Sequence, residues 1–252
     1  MNAPRFALVR QLSPAFARAI TRHPEPPVYE RARLQHAAYV AALRAAGLAV
    51  TELPGDPALP DCCFVEDMAL IARGRALLTC SGAPSRRPER EAVAAALPMT
   101  VLQAEALAPG ATLDGGDCLR VGRRWFVGRS SRTNEAGVEA VRRAFPELEV
   151  VPVPVEDLHL KCSVTALSVD AVLLAEGTIP PSVFAGLERV MVPAEESVAA
   201  NVVALGDRVL VAAGFPRTAR ALAARGFTVI PIAADEIRKA DGALSCMSLL
   251  WG

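Results

Sequence analysis

The sequence predicts an α/β fold of one domain, residues 1–252, built as a ring of five similar units. Three observations carry this expectation. An apolar–turn–apolar pattern recurs along the chain. Its copies are evenly spaced. Helical patterns fill the stretches between them.

The first copy is VEDMALIARGRALLTC from Val65. The next are GGDCLRVGRRWFVG from Gly115, CSVTALSVDAVLLAEG from Cys162 and NVVALGDRVLVAAG from Asn201. In each, two apolar runs flank a short polar or glycine turn (ARGR, VGRR, SVDA, LGDR), the signature of a β-hairpin. A fifth, partial copy, SCMSLLW, lies near the C-terminus, and the RFALVR strand from Arg5 would complete it. Taking Asp67, Asp117, Ser163, Asn201 and Ser245 as equivalent points gives spacings of 50, 46, 38 and 44 residues. Stretches such as RPEREAVAAAL and RTNEAGVEAVRRAF carry a helical period. Each unit therefore reads as hairpin, helix, strand, with the two ends of the chain sharing one unit. Periodicity alone also admits an ordinary open α/β sheet.

Composition narrows the function. Over half of the 252 residues (52%) are hydrophobic, and 27 basic residues balance 27 acidic ones, which suits a soluble core-forming protein and gives no reason to expect a polyanionic partner. Aromatics are 5%, too few for a nucleic-acid stacking surface. No apolar run is long enough for a membrane span, and MNAPRFALVRQLSPAF lacks a secretory pattern. The six cysteines are unevenly spaced, and the adjacent Cys62 and Cys63 suit neither a zinc pair nor a simple bridge. A cytoplasmic location with reduced thiols is the expectation.

Polar residues gather where each hairpin begins: Glu66 and Asp67, Asp114 and Asp117, His159, Asn201 and Cys246. In a closed ring these starts converge on the axis, so a thiol, an imidazole and several carboxylates would meet in one cavity. His23 lies in a proline-rich loop and His36 in a helical pattern, where packing or surface roles are expected. For His159 and Cys246 the structural and chemical readings both stand on position alone. Cys80 and Cys118 read as core. Cys162 follows His159 by three, which along a strand would point it away from any cavity His159 faces. The TLDGGDCL stretch places two glycines between two aspartates, implying close backbone approach or positive φ. FVED carries two carboxylates after apolar residues, and if buried and empty they would want a cationic ligand. Arg86 and Arg87 in GAPSRRPE, and Arg129 and Arg132 in GRSSRTNEAG, offer forks for a carboxylate, although solvated surface charge is the commoner reading.

PDCCFVED, GAPSRR, TLDGGD, GRSSRTN, LHLKCS and LSCMS, in this order, closely resemble the motifs of the dimethylarginine dimethylaminohydrolase family. This family stands within a guanidine-modifying superfamily that also holds arginine deiminases and amidinotransferases. The resemblance runs from about Leu34 to Trp251. It implies a five-bladed pseudo-symmetric α/β propeller. It also implies a cysteine-dependent hydrolase that converts dimethyl- or monomethylarginine to citrulline and a methylamine through a covalent thiouronium intermediate, with no metal or organic cofactor. By the same resemblance Cys246 is the nucleophile, His159 the general acid and base, and Asp114 the residue orienting it. Asp67, with Glu66 beside it, would hold the guanidinium. Arg86 and Arg132 would bind the amino-acid carboxylate, Asp61 would lie near the α-amino group, and Ile20 would belong to a lid in the loop Ala15 to Pro27. The expected partner is the small-molecule substrate, with no nucleic acid or membrane, and the propeller rim leaves room for a homodimer. Two rivals share the chemistry: arginine deiminase, whose larger members carry a helical insertion this chain lacks room for, and a hydrolase of another N-substituted arginine. A third is a catalytically silent binder of arginine analogues or a protein partner, against which the joint presence of Cys246, His159 and Asp114 argues.

Overall fold

The computed structural model describes residues 3–252, which form five three-stranded sheets, here called blades. Blade I joins the two ends of the chain: β1 (Phe6–Arg10) lies between the antiparallel β15 (Leu249–Trp251) and the parallel β2 (Ala49–Leu53). Blade II holds β3 (Ala69–Ala72), β4 (Arg75–Leu78) and β5 (Thr100–Gln103). Blade III holds β6 (Cys118–Val121), β7 (Arg124–Arg129) and β8 (Glu149–Pro154). Blade IV holds β9 (Val164–Ala166), β10 (Ala171–Ala175) and β11 (Glu188–Val192). Blade V holds β12 (Val203–Leu205), β13 (Arg208–Ala212) and β14 (Thr228–Ile232). In every blade the first two strands are antiparallel and the third is parallel to the middle one.

This pattern follows from the sequence unit. The hairpin turns are tight: Arg73 and Gly74 both take positive φ (54° and 72°), the conformation that matches the twist of a two-residue hairpin. The parallel third strand needs a crossover, and a helix usually supplies it. These are α1 (Tyr29–Ala45), α2 (Glu89–Ala96), α4 (Glu135–Ala144) and α5 (Pro216–Ala223); the single turns α3 (Ala104–Leu107) and α6 (Asp235–Arg238) follow blades II and V. Blade IV departs from the expected unit. There the crossover is only the 3₁₀ turn Pro181–Phe184, because Pro180 and Pro181 shorten it. The 38-residue spacing, the shortest of the four, belongs to this blade.

The middle strands explain why the blades close. Their residues alternate between two interblade cores. Leu173 packs toward blade V, and its neighbours Val172 and Leu174 pack toward blade III. Trp125 and Val127 face blade II, while Phe126 faces blade IV. Leu8 faces blade II, while Ala7 and Val9 face blade V. Five such cores join successive blades, and the one that spans blades V and I closes the ring beneath α1. No helix among the described residues is long and apolar enough to cross a membrane.

Each inner strand is preceded by a 3₁₀ turn: Val65–Met68, Gly115–Asp117, Leu160–Cys162, Ala194–Ala200 and Ser245–Met247. Polar groups tie these turns across the axis. Lys161 Nζ donates to Glu66 Oε1 (2.7 Å) and to the Gly115 carbonyl (3.1 Å). The Ser245 hydroxyl donates to Glu66 Oε2 (2.7 Å), and the Asn201 amide exchanges two bonds with Ser245 (2.9 and 3.0 Å). Lys161→Met would leave the Glu66 carboxylate, whose side chain is 10% exposed, without its cation. We expect a loss of about 3 kcal/mol in a denaturant titration, with partial recovery in Lys161→Met/Glu66→Gln. An unchanged midpoint for Lys161→Met would show that the axial pair does not hold the turns.

Candidate active site

The site lies where the 3₁₀ turns of blades II, III, IV and I meet. His159 stands just before the turn Leu160–Cys162 and is 6% exposed. Its Nε2 lies 3.1 Å from Asp114 Oδ2, and Asp114, fully buried, also accepts from the Gly82 amide (3.0 Å). The second aspartate of TLDGGD acts one step further out. Asp117 Oδ1 accepts from the Leu160 amide (2.9 Å) and Oδ2 from the Ser130 hydroxyl (2.6 Å), which fixes the backbone that carries His159.

The two glycines between the aspartates are explained by close approach, not by positive φ. A Cβ on Gly116 would sit 2.7 Å from His159 Nδ1 and 3.0 Å from Asp67 Oδ1, and one on Gly115 would overlap the Glu66 carbonyl. Burial pulls the His159 pKa down, but Asp67, the Asp114 hydrogen bond and Asp117 outweigh it and raise it to about 9. The imidazole is therefore an imidazolium at neutral pH, donating to Asp114.

Asp67 is 3% exposed and held from two sides: Oδ1 accepts from the Gly116 amide (2.8 Å) and Oδ2 from Arg86 Nη1 (2.6 Å). Burial disfavours its charge, yet His159 and Arg86 hold its pKa at about 2. Arg86 is fully engaged. Its Nε and Nη2 bond Glu89, and Nη2 also donates to the Phe64 carbonyl (3.0 Å). The FVED carboxylates are thus buried but not empty, because cations from within the chain reach both. Glu66 turns to Lys161 and Ser245, away from the pocket that Asp67 lines, so the structure does not place it beside Asp67 as a second grip on a ligand.

Cys246 lies in the turn Ser245–Met247 and lines a narrow pocket of about 30 Å³ with Asp61, Asp67, Arg86, Arg132, Leu158, His159 and Ile20. Burial raises its thiol well above the ordinary range, and Glu66 and Asp67 push the same way. Asp61 accepts from the Ile20 amide with both oxygens (3.1 and 3.3 Å), so the N-terminal loop is tied down over the pocket. Arg132 approaches Asp114 only to 3.6 Å, and its Nη1 is buried without a hydrogen-bond partner. A wider vestibule of about 280 Å³ shares Ile20, Arg132, Leu158 and Asp241 with the pocket and leads outward past Arg22, Glu156 and Asp157.

Of the other candidates, Arg87 donates to the Ser81 carbonyl and Arg129 pairs with Glu135 at the surface. His36 is a buried residue of α1, its pKa lowered to about 4 by burial. Cys162 stays outside the pocket, but not for the reason of strand parity: His159 precedes a 3₁₀ turn, in which alternation does not apply. Sequence reasoning did not single out Lys161, Ser245 or Glu89. Lys161 and Ser245 sit inside quoted motifs beside His159 and Cys246, whereas Glu89 carried only the ordinary signal of an acid in a first helical turn. Asp67, Asp114 and His159 bring one donor atom each within 4.8 Å of one another, close enough for a cation, although Arg86 already occupies one side of Asp67.

Comparison with known proteins bears on the family and the fold. Residues 9–249 match the family model for N,N dimethylarginine dimethylhydrolase, eukaryotic. The N(G),N(G)-dimethylarginine dimethylaminohydrolase of Streptomyces coelicolor is 39% identical over 96% of this chain and 95% of its own. That of Pseudomonas aeruginosa is 37% identical over 90% and 91%. A solved structure of the Pseudomonas enzyme, a cysteine-to-serine mutant complexed with citrulline, superimposes with a TM-score of 0.93 at 33% identity, covering 99% of this chain and 100% of that one. The N-terminal domain of the cyanobacterial arginine dihydrolase ArgZ shares the fold at 19% identity and a TM-score of 0.86. On this sequence identity, over nearly the whole length of both chains, the protein belongs to the dimethylarginine dimethylaminohydrolase family of hydrolases.

Proposed function

We propose that this chain hydrolyses Nω-methylated arginine, dimethyl- or monomethyl-, to citrulline and the corresponding methylamine, with Cys246 as nucleophile. The observation that carries the reading is the pocket itself: a thiol, an imidazolium held from behind by the buried Asp114, and the carboxylate of Asp67 face one narrow space. Family membership supports it.

The resting protonation states fit the chemistry. Cys246 is a thiol and His159 an imidazolium before substrate arrives. A guanidinium set against Asp67 brings a positive charge beside the sulfur. That charge offsets the Glu66 and Asp67 fields and draws the thiol toward thiolate, the form that attacks; the thiol proton leaves to solvent, because His159 already carries its own. Attack forms the S–C bond and a tetrahedral adduct. His159 then gives its proton to the methylated nitrogen, and the C–N bond breaks as the amine departs. Neutral His159 takes a proton from water, which adds to the same carbon; collapse expels the thiolate and leaves citrulline. Asp114 keeps the ring oriented and stabilises its charge through both steps. Arg132, with an unpaired buried N–H, is suited to the α-carboxylate. None of these steps calls for a metal or an organic cofactor.

The test is citrulline formation by the purified, reduced protein from dimethylarginine, monomethylarginine and arginine in parallel. Turnover of the methylated forms with little from arginine is expected; turnover of arginine alone would make the chain a deiminase on this scaffold. Three further outcomes are expected. Cys246→Ser should abolish turnover, and His159→Ala should lower kcat by roughly 10²–10⁴-fold. Arg132→Ala should raise KM roughly tenfold or more by removing a charged hydrogen bond, and an unchanged KM would place the carboxylate elsewhere. On the alkaline side kcat/KM should fall as His159 loses its proton near pH 9, because the neutral ring cannot protonate the leaving amine; a rate still rising above that pH would remove His159 from the acid step.

A further inference from the structure

The Arg86 guanidinium lies between two buried carboxylates. On one side Nη1 meets Asp67 Oδ2 at 2.6 Å. On the other, Nε and Nη2 meet Glu89 at 2.9 to 3.3 Å. All three side chains are sealed from solvent: Asp67 is 3% exposed, Arg86 5% and Glu89 1%. Among the described residues, Glu89 makes no side-chain bond other than those to Arg86. It opens α2, and Arg86 ends the 3₁₀ turn Pro84–Arg86 just before that helix, so the two side chains meet at a spacing of three. Once Glu89 is ionised, above the pH of about 7 to which burial raises its carboxyl, one positive charge faces two negative ones and the group as a whole is negative. Asp67 already holds one guanidinium, so a substrate guanidinium meets a carboxylate that is half claimed. What keeps that carboxylate available is the counter-pull of Glu89 on Arg86.

We propose that Glu89 is a positioning residue that holds Arg86 back from Asp67 and so preserves the negative charge that selects a cationic side chain over a neutral one of the same shape. Without the Glu89 charge, Asp67 is the one carboxylate among the described residues left within ion-pair distance of Arg86, with Asp61 acting on it from further off. The pair then neutralises itself, and the pocket loses its preference for cations. The effect is specific to charge. Citrulline has a neutral ureido group where the substrate has its guanidinium, but its α-carboxylate and α-amino groups are the same. A helper that merely supports the loop would weaken both ligands together. This inference rests on the methylarginine reading above.

The experiment measures equilibrium binding of dimethylarginine and of citrulline by calorimetry at pH 8.5, in a Cys246→Ser background so that nothing turns over. This pH keeps Glu89 charged, since burial raises its carboxyl to about 7 against the pull of Arg86. Glu89→Gln should weaken dimethylarginine roughly ten- to a hundredfold, the scale of one charge lost a few ångströms away in a poorly solvated site, and leave citrulline within about threefold. Glu89→Asp, which keeps the charge, should restore most of the preference. Equal weakening of both ligands, with or without a lowered melting temperature, would overturn the proposal, as would an unchanged ratio. If the Cys246→Ser parent binds neither ligand and the wild type forms no citrulline, the functional reading fails first and the proposal falls with it. A parent that binds both, with an unmoved ratio in Glu89→Gln, refutes the role of Glu89 alone.

Discussion

The ion pair between Lys161 and Glu66 at the axis of the ring is the contact on which the rest of the arrangement depends. It joins turns that stand 95 residues apart in the chain. Through the Gly115 carbonyl and the Ser245 hydroxyl it also reaches the turns that carry Asp114 and Cys246. A ring of blades needs such a device. The interblade cores are apolar and directionless, so they bring the hairpins together without fixing the height of each turn on the axis. Directional bonds with no competing water set that height. The pair is therefore less a source of net stability than a means of register, since burying both charges is costly in itself.

The groups proposed to be catalytic inherit this order. His159 precedes Lys161 by two residues and Cys246 follows Ser245 by one, so each functional side chain is adjacent to an axial anchor. TLDGGD does the same from blade III: Asp114 takes the imidazole, Asp117 takes the backbone after it, and the absent side chains of Gly115 and Gly116 let the two turns touch. Around the pocket the buried carboxylates are matched by fewer cations. The surplus negative charge lifts the imidazole pKa against burial; burial first, and the same negative charge second, hold the thiol protonated. On the proposed reading, recognition and activation share an electrostatic cause: the cation that the surplus negative charge attracts is also the one that makes sulfur reactive.

Much of this was legible in the sequence because the fold is a repeat. The hairpin turns, the convergence of polar residues at their starts and the shared terminal blade follow from periodicity and from the two-faced burial of the middle strands. The TLDGGD glycines were readable as a backbone constraint, either a close approach or positive φ, and the structure decides for the close approach. What was not legible is pairing. Nothing in FVED shows that Glu66 turns to Lys161 while Asp67 turns to the pocket; that depends on 3₁₀ geometry, which breaks strand alternation. The same geometry defeats the parity argument for Cys162. Glu89 was hidden for a different reason: an acid in a first helical turn is so ordinary that only its burial against Arg86 singles it out.

The central claim is that carbon–nitrogen cleavage passes through a covalent bond to Cys246. Rapid acid quench of the protein with dimethylarginine bearing both methyl groups on one nitrogen, and separately with monomethylarginine, followed by intact mass measurement and peptide mapping, tests it most directly. Because the methylated amine leaves before water adds, both substrates should give an adduct of the same mass, on the peptide holding Cys246, and isotope placed in the methyl groups should be absent from it. Citrulline formed while Cys246 stays unmodified and alkylatable throughout turnover, or an adduct that retains the methyl label, would contradict the account.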